Sequence, residues 1–330
     1  MYTANTDRYK TMAYRRCGNS GLKLPEISFG LWHNYGKDST EQNAREMLIT
    51  AFNLGVTHFD IANNYGPPPG SAEEMFGRIL KSDFLPYRDE LIISSKAGYS
   101  MWPGPYGDLG SRKYLVASCD ASLKRTGLDY FDIFYHHRPD SGTPLEETMG
   151  ALDFLVRSGK ALYAGISNYG AKEAELAFGI LKQLGTPCLI HQPNYSMLNR
   201  KAENGLIDAC AANGVGMMCY APLAGGRLTD RYINGIPADS RAAGASPFLN
   251  TKHITPELQT ALSALQAVAA ERGQALAQMA LSWVLRHKGV TSALIGASRA
   301  SQIEDCCKAV GAAEFADEEL TKIEGILGNL

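Results

Sequence analysis

Four side chains that can share one reaction stand at or just after apolar runs: Asp60, Tyr65, Lys96 and His137. A phenol ordinarily ionises near pH ~10. A nearby ammonium favours the phenolate, and a carboxylate holds that ammonium charged and oriented. A tyrosine in such company can give a proton to a carbonyl oxygen as hydride reaches the carbon. A neutral imidazole beside it can donate a hydrogen bond to the same oxygen. That is a site for carbonyl reduction without a metal. Each residue alone has a plainer reading. A strand-end Asp is as often a helix cap, a Tyr in a Gly/Pro loop is usually packing, a Lys after an apolar run is usually solvated, and a strand-end His is often structural. Only convergence makes them a site, and convergence depends on the elements that carry them.

Those elements alternate. Short, nearly continuous apolar runs occur at Ile27–Gly30, His58–Ala62, Leu91–Lys96, Phe131–His137, Ala161–Ser167, Leu189–Gln192, Gly216–Tyr220 and Ser292–Ile295. Strands covered on both faces by crossover helices read this way. Helical spacing follows in Glu41–Leu54, Ser71–Leu80, Tyr114–Thr126, Leu145–Ser158, Lys172–Leu184, Ala202–Asn213 and Gln274–Arg286, and a further helix opens near Ser301. Gly55, Gly127, Gly159, Gly185 and Gly214 follow expected helix ends. Eight strand–helix repeats predict an α/β fold, a closed (β/α)8 TIM barrel, with a doubly wound sheet as the alternative. Tyr14–Leu24, turning at Gly18–Gly21, predicts an N-terminal hairpin. No linker divides residues 1–330, so one domain is expected. Gly66–Gly70 and Ala97–Ser111 each follow a strand end and would lie on the catalytic face of a barrel, and the long stretch Gly225–Thr255 reads as a functional lid.

A net charge of −2 gives no general attraction to nucleic acid or an anionic membrane. No apolar run reaches the ~20 residues of a membrane span. The polar N-terminus has no signal-peptide core, so a cytoplasmic protein is expected. The seven cysteines are odd in number and lack CxxC spacing, which predicts reduced core thiols and no metal site.

The segments His58–Gly66, Ser94–Lys96, Phe131–His137, Gly165–Asn168, His191–Tyr195 and Tyr220–Gly226 resemble the aldo-keto reductase superfamily along almost the whole chain. The resemblance implies the barrel fold, NADPH/NADP+ as cofactor, and Asp60, Tyr65, Lys96 and His137 as a catalytic tetrad with Tyr65 as proton donor. His136 competes for the fourth place, because residues alternate along a strand and only one of the pair points inward. The stretches Asn63–Leu80, Ala97–Lys113 and Ile233–Arg241 resemble two groups within the superfamily. These are bacterial L-glyceraldehyde 3-phosphate reductases and β subunits of voltage-gated potassium channels. The channel subunits carry Asn where this chain has His137, and the reductases carry His.

There is no G-x-G-x-x-G after the first strand, so a cofactor must be held differently. The resemblance implies Ser167, Asn168 and Gln192 for the nicotinamide carboxamide and Tyr220 as the ring stacked on it. It implies Pro222, Leu223 and Gly225 along the pyrophosphate, and Arg231 and Arg241 in a covering loop. Gly296, Ser298 and Arg299 would take the adenosine phosphate, with Gln302 and Asp305 at the adenine. An ordinary helix cap with a solvated Arg is the plainer reading of Gly296–Arg299. The cations at that end favour NADPH over NADH. Cys306 stands where the family usually has Asn, which predicts looser adenine recognition. Trp32, which also borders the cofactor, Tyr65, Trp102 and Arg138 are candidate substrate walls, and Arg138 would face a substrate phosphate or pair with Asp140.

The expected activity is reduction of small aldehydes, glyceraldehyde 3-phosphate and methylglyoxal among them, to alcohols. The alternatives are an NADPH-binding regulatory subunit and another barrel enzyme, such as a phosphate-sugar isomerase. Partners would be a small aldehyde and, in a homo-oligomer, further copies as a tetramer or octamer.

Overall fold

The computed structural model describes residues 2–37, 39–244, 248–328 and 330. A two-stranded antiparallel hairpin comes first, β1 (Tyr14–Arg16) with β2 (Lys23–Pro25). Eight parallel strands follow: β3 (Ile27–Gly30), β4 (His58–Asp60), β5 (Ile92–Ala97), β6 (Phe131–His136), β7 (Ala161–Ser167), β8 (Ile190–Gln192), β9 (Gly216–Tyr220) and β10 (Ser292–Ile295). They close into a barrel in sequence order, with β10 pairing back onto β3. The helices are α1 (Glu41–Asn53), α2 (Ser71–Ile79), α3 (Arg112–Thr126), α4 (Leu145–Arg157), α5 (Ala171–Gln183), α6 (Leu206–Ala212), α7 (Pro256–Glu271), α8 (Leu276–Leu285), α9 (Ala300–Cys307) and α10 (Asp317–Leu327). This is a (β/α)8 TIM barrel with an N-terminal hairpin.

Local chemistry explains the element ends. Thr40 caps α1 by accepting from the Asn43 N–H, and Ala44, Met47, Leu48, Ala51 and Phe52 form its buried stripe. Ser111 caps α3 the same way through Tyr114, which starts that helix two residues before Tyr114, the expected first residue. Gly127 ends it in the left-handed region at φ 70°, where a side chain would be strained. The helix expected over Ala202–Asn213 is interrupted: a short turn over Lys201–Glu203 and left-handed Gly205 precede α6. The helices α7 and α10 were not among the expected ones.

Two apolar clusters fill the fold. The larger lies between barrel and helices and includes Phe29, Phe59, Phe134 and Trp283. The smaller lies inside the barrel and joins Ile133, Tyr135, Ile190, Met218 and Leu294 to Cys17 and Leu24 of the hairpin. Neighbours Phe134 and Tyr135 fall in different clusters, as strand alternation requires. The hairpin therefore plugs the end of the barrel opposite the strand C-termini. The other half of the interior is polar: Ser28, His58, Ser94 and Ser292 are all fully buried.

All seven cysteines are unpaired, and all but Cys307 are buried. Among the described residues, no helix is long and apolar enough to cross a membrane, and no set of three His, Cys, Asp or Glu gathers as metal ligands.

Candidate active site

The C-terminal ends of β4, β5 and β6 bring Asp60, Lys96 and His137 together, and the loop after β4 adds Tyr65. Asp60 and Lys96 are completely buried, and the Lys96 ammonium lies 2.5 Å from Asp60 Oδ2. Lys96 also donates to the Ile61 carbonyl at 2.7 Å. Its Nζ stands 5.1 Å from the centre of the Tyr65 ring. Asp60 Oδ1 accepts from Ser94 Oγ at 2.6 Å and from Gln192 Nε2 at 3.2 Å. The Tyr65 and His137 rings meet edge to face at 5.9 Å between centroids.

Burial sets the protonation states. It pushes the Tyr65 phenol well above its ordinary value, and the Asp60 charge adds to the effect. Desolvation thus keeps the proton on Tyr65, the state that a proton donor needs. Burial lowers Lys96, while Asp60 opposes that shift. Burial, helped by Lys96, pushes His137 well below its usual range, so its imidazole is neutral.

Alternation separates the two histidines. His136 points outward, where its Nδ1 lies 2.6 Å from the Tyr169 hydroxyl. His137 continues the ladder through its N–H to the Ala97 carbonyl and turns to Tyr65, leaving its buried Nδ1 without a partner.

A second group of expected residues adjoins the four. The Asn168 amide donates to the His137 carbonyl at 2.9 Å and to Ser167 Oγ at 3.2 Å, and it accepts from the Tyr220 hydroxyl at 2.8 Å. Ser167 Oγ donates to the Gln192 carbonyl at 2.7 Å. Asn168, Ala221 and Ala224 all hold left-handed backbone, at φ 64°, 51° and 51°. Such strain in non-glycine residues gathers at ligand-handling loops. Pro222, Leu223 and Gly225 lie in the same turn as Ala221 and Ala224, and a Cβ on Gly225 or Gly296 would meet nothing within 4 Å. A buried unpaired imidazole nitrogen, a joined patch of amide and hydroxyl groups and an open glycine rim suit a nicotinamide and its pyrophosphate.

The distal residues are less gathered. Gln302 turns back onto Ser298, accepting from its N–H at 2.8 Å and its hydroxyl at 3.2 Å, as a helix cap would. Asp305 is paired with Lys308 at 2.8 Å, not with the strand-end cluster. Cys306 is buried, so its thiol faces the core. Arg299 precedes α9 as its cap residue, and Arg231 pairs with Asp239 at 2.9 Å. Arg241 opens a short turn in the covering loop, where its charge helps lower His33 after burial.

Around the mouth, Trp32 lies 6.4 Å from the Tyr65 ring, and Trp102 packs on Tyr114 at 5.3 Å. Arg138 pairs with Asp108 at 2.9 Å and donates to the Gly98 carbonyl at 2.7 Å. It does not pair with Asp140, which accepts the Gly110 and Gly142 N–H groups instead. Sequence reasoning missed Tyr99, which touches His137 at 4.7 Å and carries the Arg138 guanidinium over its ring at 4.4 Å. It also missed Phe248, which packs on Trp32 at 4.9 Å and brings the covering loop to the mouth. Tyr99 carried a usable signal, since it stands three residues after Lys96 in a catalytic-face loop.

The aldo/keto reductase family matches residues 26–327. The chain is 53% identical over 330 residues to the L-glyceraldehyde 3-phosphate reductase of Escherichia coli K12, covering 98% of this chain and 95% of that protein. It is 36% identical over 303 residues to a probable voltage-gated potassium channel subunit beta of Arabidopsis thaliana, covering 91% of each. A putative subunit of the same kind from Schizosaccharomyces pombe is 34% identical, covering 96% of this chain and 94% of that protein. The chain belongs to the aldo/keto reductase family and is an oxidoreductase.

Proposed function

We propose that this protein reduces small aldehydes to alcohols with NADPH, glyceraldehyde 3-phosphate and methylglyoxal among its substrates. The observation that carries this reading is the protonated Tyr65 phenol beside the buried Lys96–Asp60 pair and the neutral His137. When bound, the dihydronicotinamide supplies hydride to the carbonyl carbon. Tyr65 gives its proton to the oxygen as negative charge develops there. Lys96 stabilises the phenolate left behind, and Asp60 holds Lys96. His137 orients the carbonyl by a hydrogen bond. Ser167, Asn168 and Gln192 would hold the carboxamide, and Tyr220 would lie against the ring. Pro222, Leu223, Gly225, Arg231, Arg241, Gly296, Ser298, Arg299, Gln302 and Asp305 are the proposed remainder of the cofactor site.

The name of the 53% identical relative supports a phosphorylated three-carbon aldehyde. Arg138, held over Tyr99 at the rim, suits its phosphate. Residues 1–330 are read as one domain, supported by the pairing of β10 with β3 near opposite ends of the chain. A cytoplasmic setting and assembly as a tetramer or octamer are part of the same proposal.

Absorbance of NADPH followed with several aldehydes tests the activity. Turnover is expected with short aldehydes, and cofactor binding without turnover on any of them would end the reading. The 36% identical channel-subunit relative supports a regulatory role as a second reading. Tight NADPH binding with negligible turnover would favour it, whereas the imidazole at position 137 favours the enzyme.

A further inference from the structure

A line of buried polar side chains crosses the barrel interior and ends on Asp60. Ser292 Oγ lies 2.7 Å from Ser28 Oγ, and Ser28 Oγ lies 3.0 Å from His58 Nδ1. On the other side of the ring, His58 Nε2 lies 2.9 Å from Ser94 Oγ, which is 2.6 Å from Asp60 Oδ1. All five residues have zero exposure.

Its polarity follows from hydrogen-bond arithmetic. A carboxylate only accepts, so the Ser94 proton must point at Asp60. Turned the other way, two oxygens would face each other at 2.6 Å without a proton between them. With its proton committed, Ser94 must accept from His58, which places the imidazole proton on Nε2. His58 Nδ1 then accepts from Ser28, and Ser28 accepts from Ser292. Ser292 also lies 3.3 Å from the Glu26 carbonyl, but that oxygen already takes the Ala293 N–H at 2.8 Å. The short contact to Ser28 wins.

We propose that Ser292, Ser28, His58 and Ser94 form a one-directional hydrogen-bond chain that fixes Asp60, and through it Lys96, making His58 a positioning residue for reduction. The inference rests on the catalytic reading above. His58 touches neither substrate nor cofactor. It acts through Ser94, which with Gln192 holds Asp60 in the orientation that faces Lys96. The charged and titratable groups that bear on Lys96 are Asp60 and His58 on β4, Glu73 on α2, Tyr65 in the loop after β4, Tyr135 on β6, and His137 just beyond it. Of these Asp60 is the strongest support for the ammonium, and burial opposes it. If the Asp60 contact loosens, burial gains and Lys96 gives up its proton at lower pH.

The test compares His58→Leu, which breaks the chain, with His58→Gln, whose amide can still donate toward Ser94. In His58→Leu, kcat should fall about tenfold, with KM for aldehyde nearly constant. The alkaline limb of its pH–rate profile should move down by about one pH unit. His58→Gln should recover most of both. A fall in kcat with an unmoved alkaline limb, or no fall at all, overturns the proposal. Nitrogen-15 NMR of the cofactor-free protein supplies a readout independent of activity. It should show His58 as a single Nε2–H tautomer through neutral pH, and Ser94→Ala, which removes the oxygen that demands that proton, should let the other tautomer appear. A mixed or Nδ1–H tautomer in the wild type overturns the chain. Should His58→Leu fail to fold, the Ser94→Ala spectra and rates decide. A wild type that reduces no aldehyde counts against the proposed function, while the tautomer still decides the chain.

Discussion

Tyr65 is the residue on which chemistry and geometry meet most directly. Its hydroxyl is needed to give a proton, whereas the ring contributes only to the pocket wall. Tyr65→Phe should therefore lower kcat by at least about a hundredfold and leave NADPH affinity nearly unchanged. Steady-state rates and a cofactor titration by fluorescence check both halves, and equal loss of both would remove Tyr65 from its role. Arg138 is separable from the chemistry. Arg138→Ala should raise KM for glyceraldehyde 3-phosphate about tenfold and leave methylglyoxal kinetics within about twofold, since only the former carries a dianion. Asp60, Lys96 and His137 could be read as residues at or just past strand ends, and Tyr65 as part of the loop that follows β4. The upward push that burial gives the Tyr65 phenol was not legible. It depends on how deeply the phenol sits, and neighbours in sequence do not report depth. His58 was hidden for a related reason: it reads as one more member of a buried run, and its partners Ser28, Ser94 and Ser292 lie on three other strands.

At the scale of elements, the strands were readable because both faces are covered, which leaves most of them as short, largely apolar runs. Helix α7 was overlooked although Thr255 caps it and Pro256 opens it, a pairing that marks helix starts. Helix α10 gave less to read, since Ile323 is its only buried residue. One strand position shows how finely the interior is fitted. A Cβ added at Gly165 on β7 would come within 2.6 Å of the Tyr135 ring. That ring sits in the apolar half of the interior and also lies 5.7 Å from Lys96. Gly165→Ala should destabilise the fold by about 1–3 kcal/mol through overpacking, read as a lower urea midpoint with unchanged slope. Activity should fall with it if the Tyr135 ring is displaced toward Lys96.

At the scale of the whole molecule, burial of neutral histidines makes stability depend on pH. Burial pushes His58, His136 and His191 each down to about 4. A histidine in the unfolded chain ionises near pH ~6.5. Below that value the unfolded chain takes up protons that the folded barrel refuses, so stability is lost as pH falls from about 6.5 toward 4. Each histidine should cost about 2 kcal/mol by pH 5. Urea unfolding at pH 7 and pH 5 measures the difference, and His191→Gln should shrink it by one histidine's share. An equal drop in the variant would show that carboxylates, not imidazoles, set the acid limit.

The left-handed turns at Asn168, Ala221 and Ala224 carry a cost of their own. For an L-residue with a Cβ, this backbone is less favourable by roughly 1–2 kcal/mol. With His33 and Leu109, they complete the non-glycine residues of this kind among the described ones, and all five lie beyond the C-terminal ends of barrel strands. The opposite end, stoppered by the hairpin, has none. An engineer wanting a hardier protein would find the easiest gains, such as Ala224→Gly, crowded around the mouth. Each would relax a bend that shapes the reaction chamber, so heat tolerance won there is expected to be repaid in turnover.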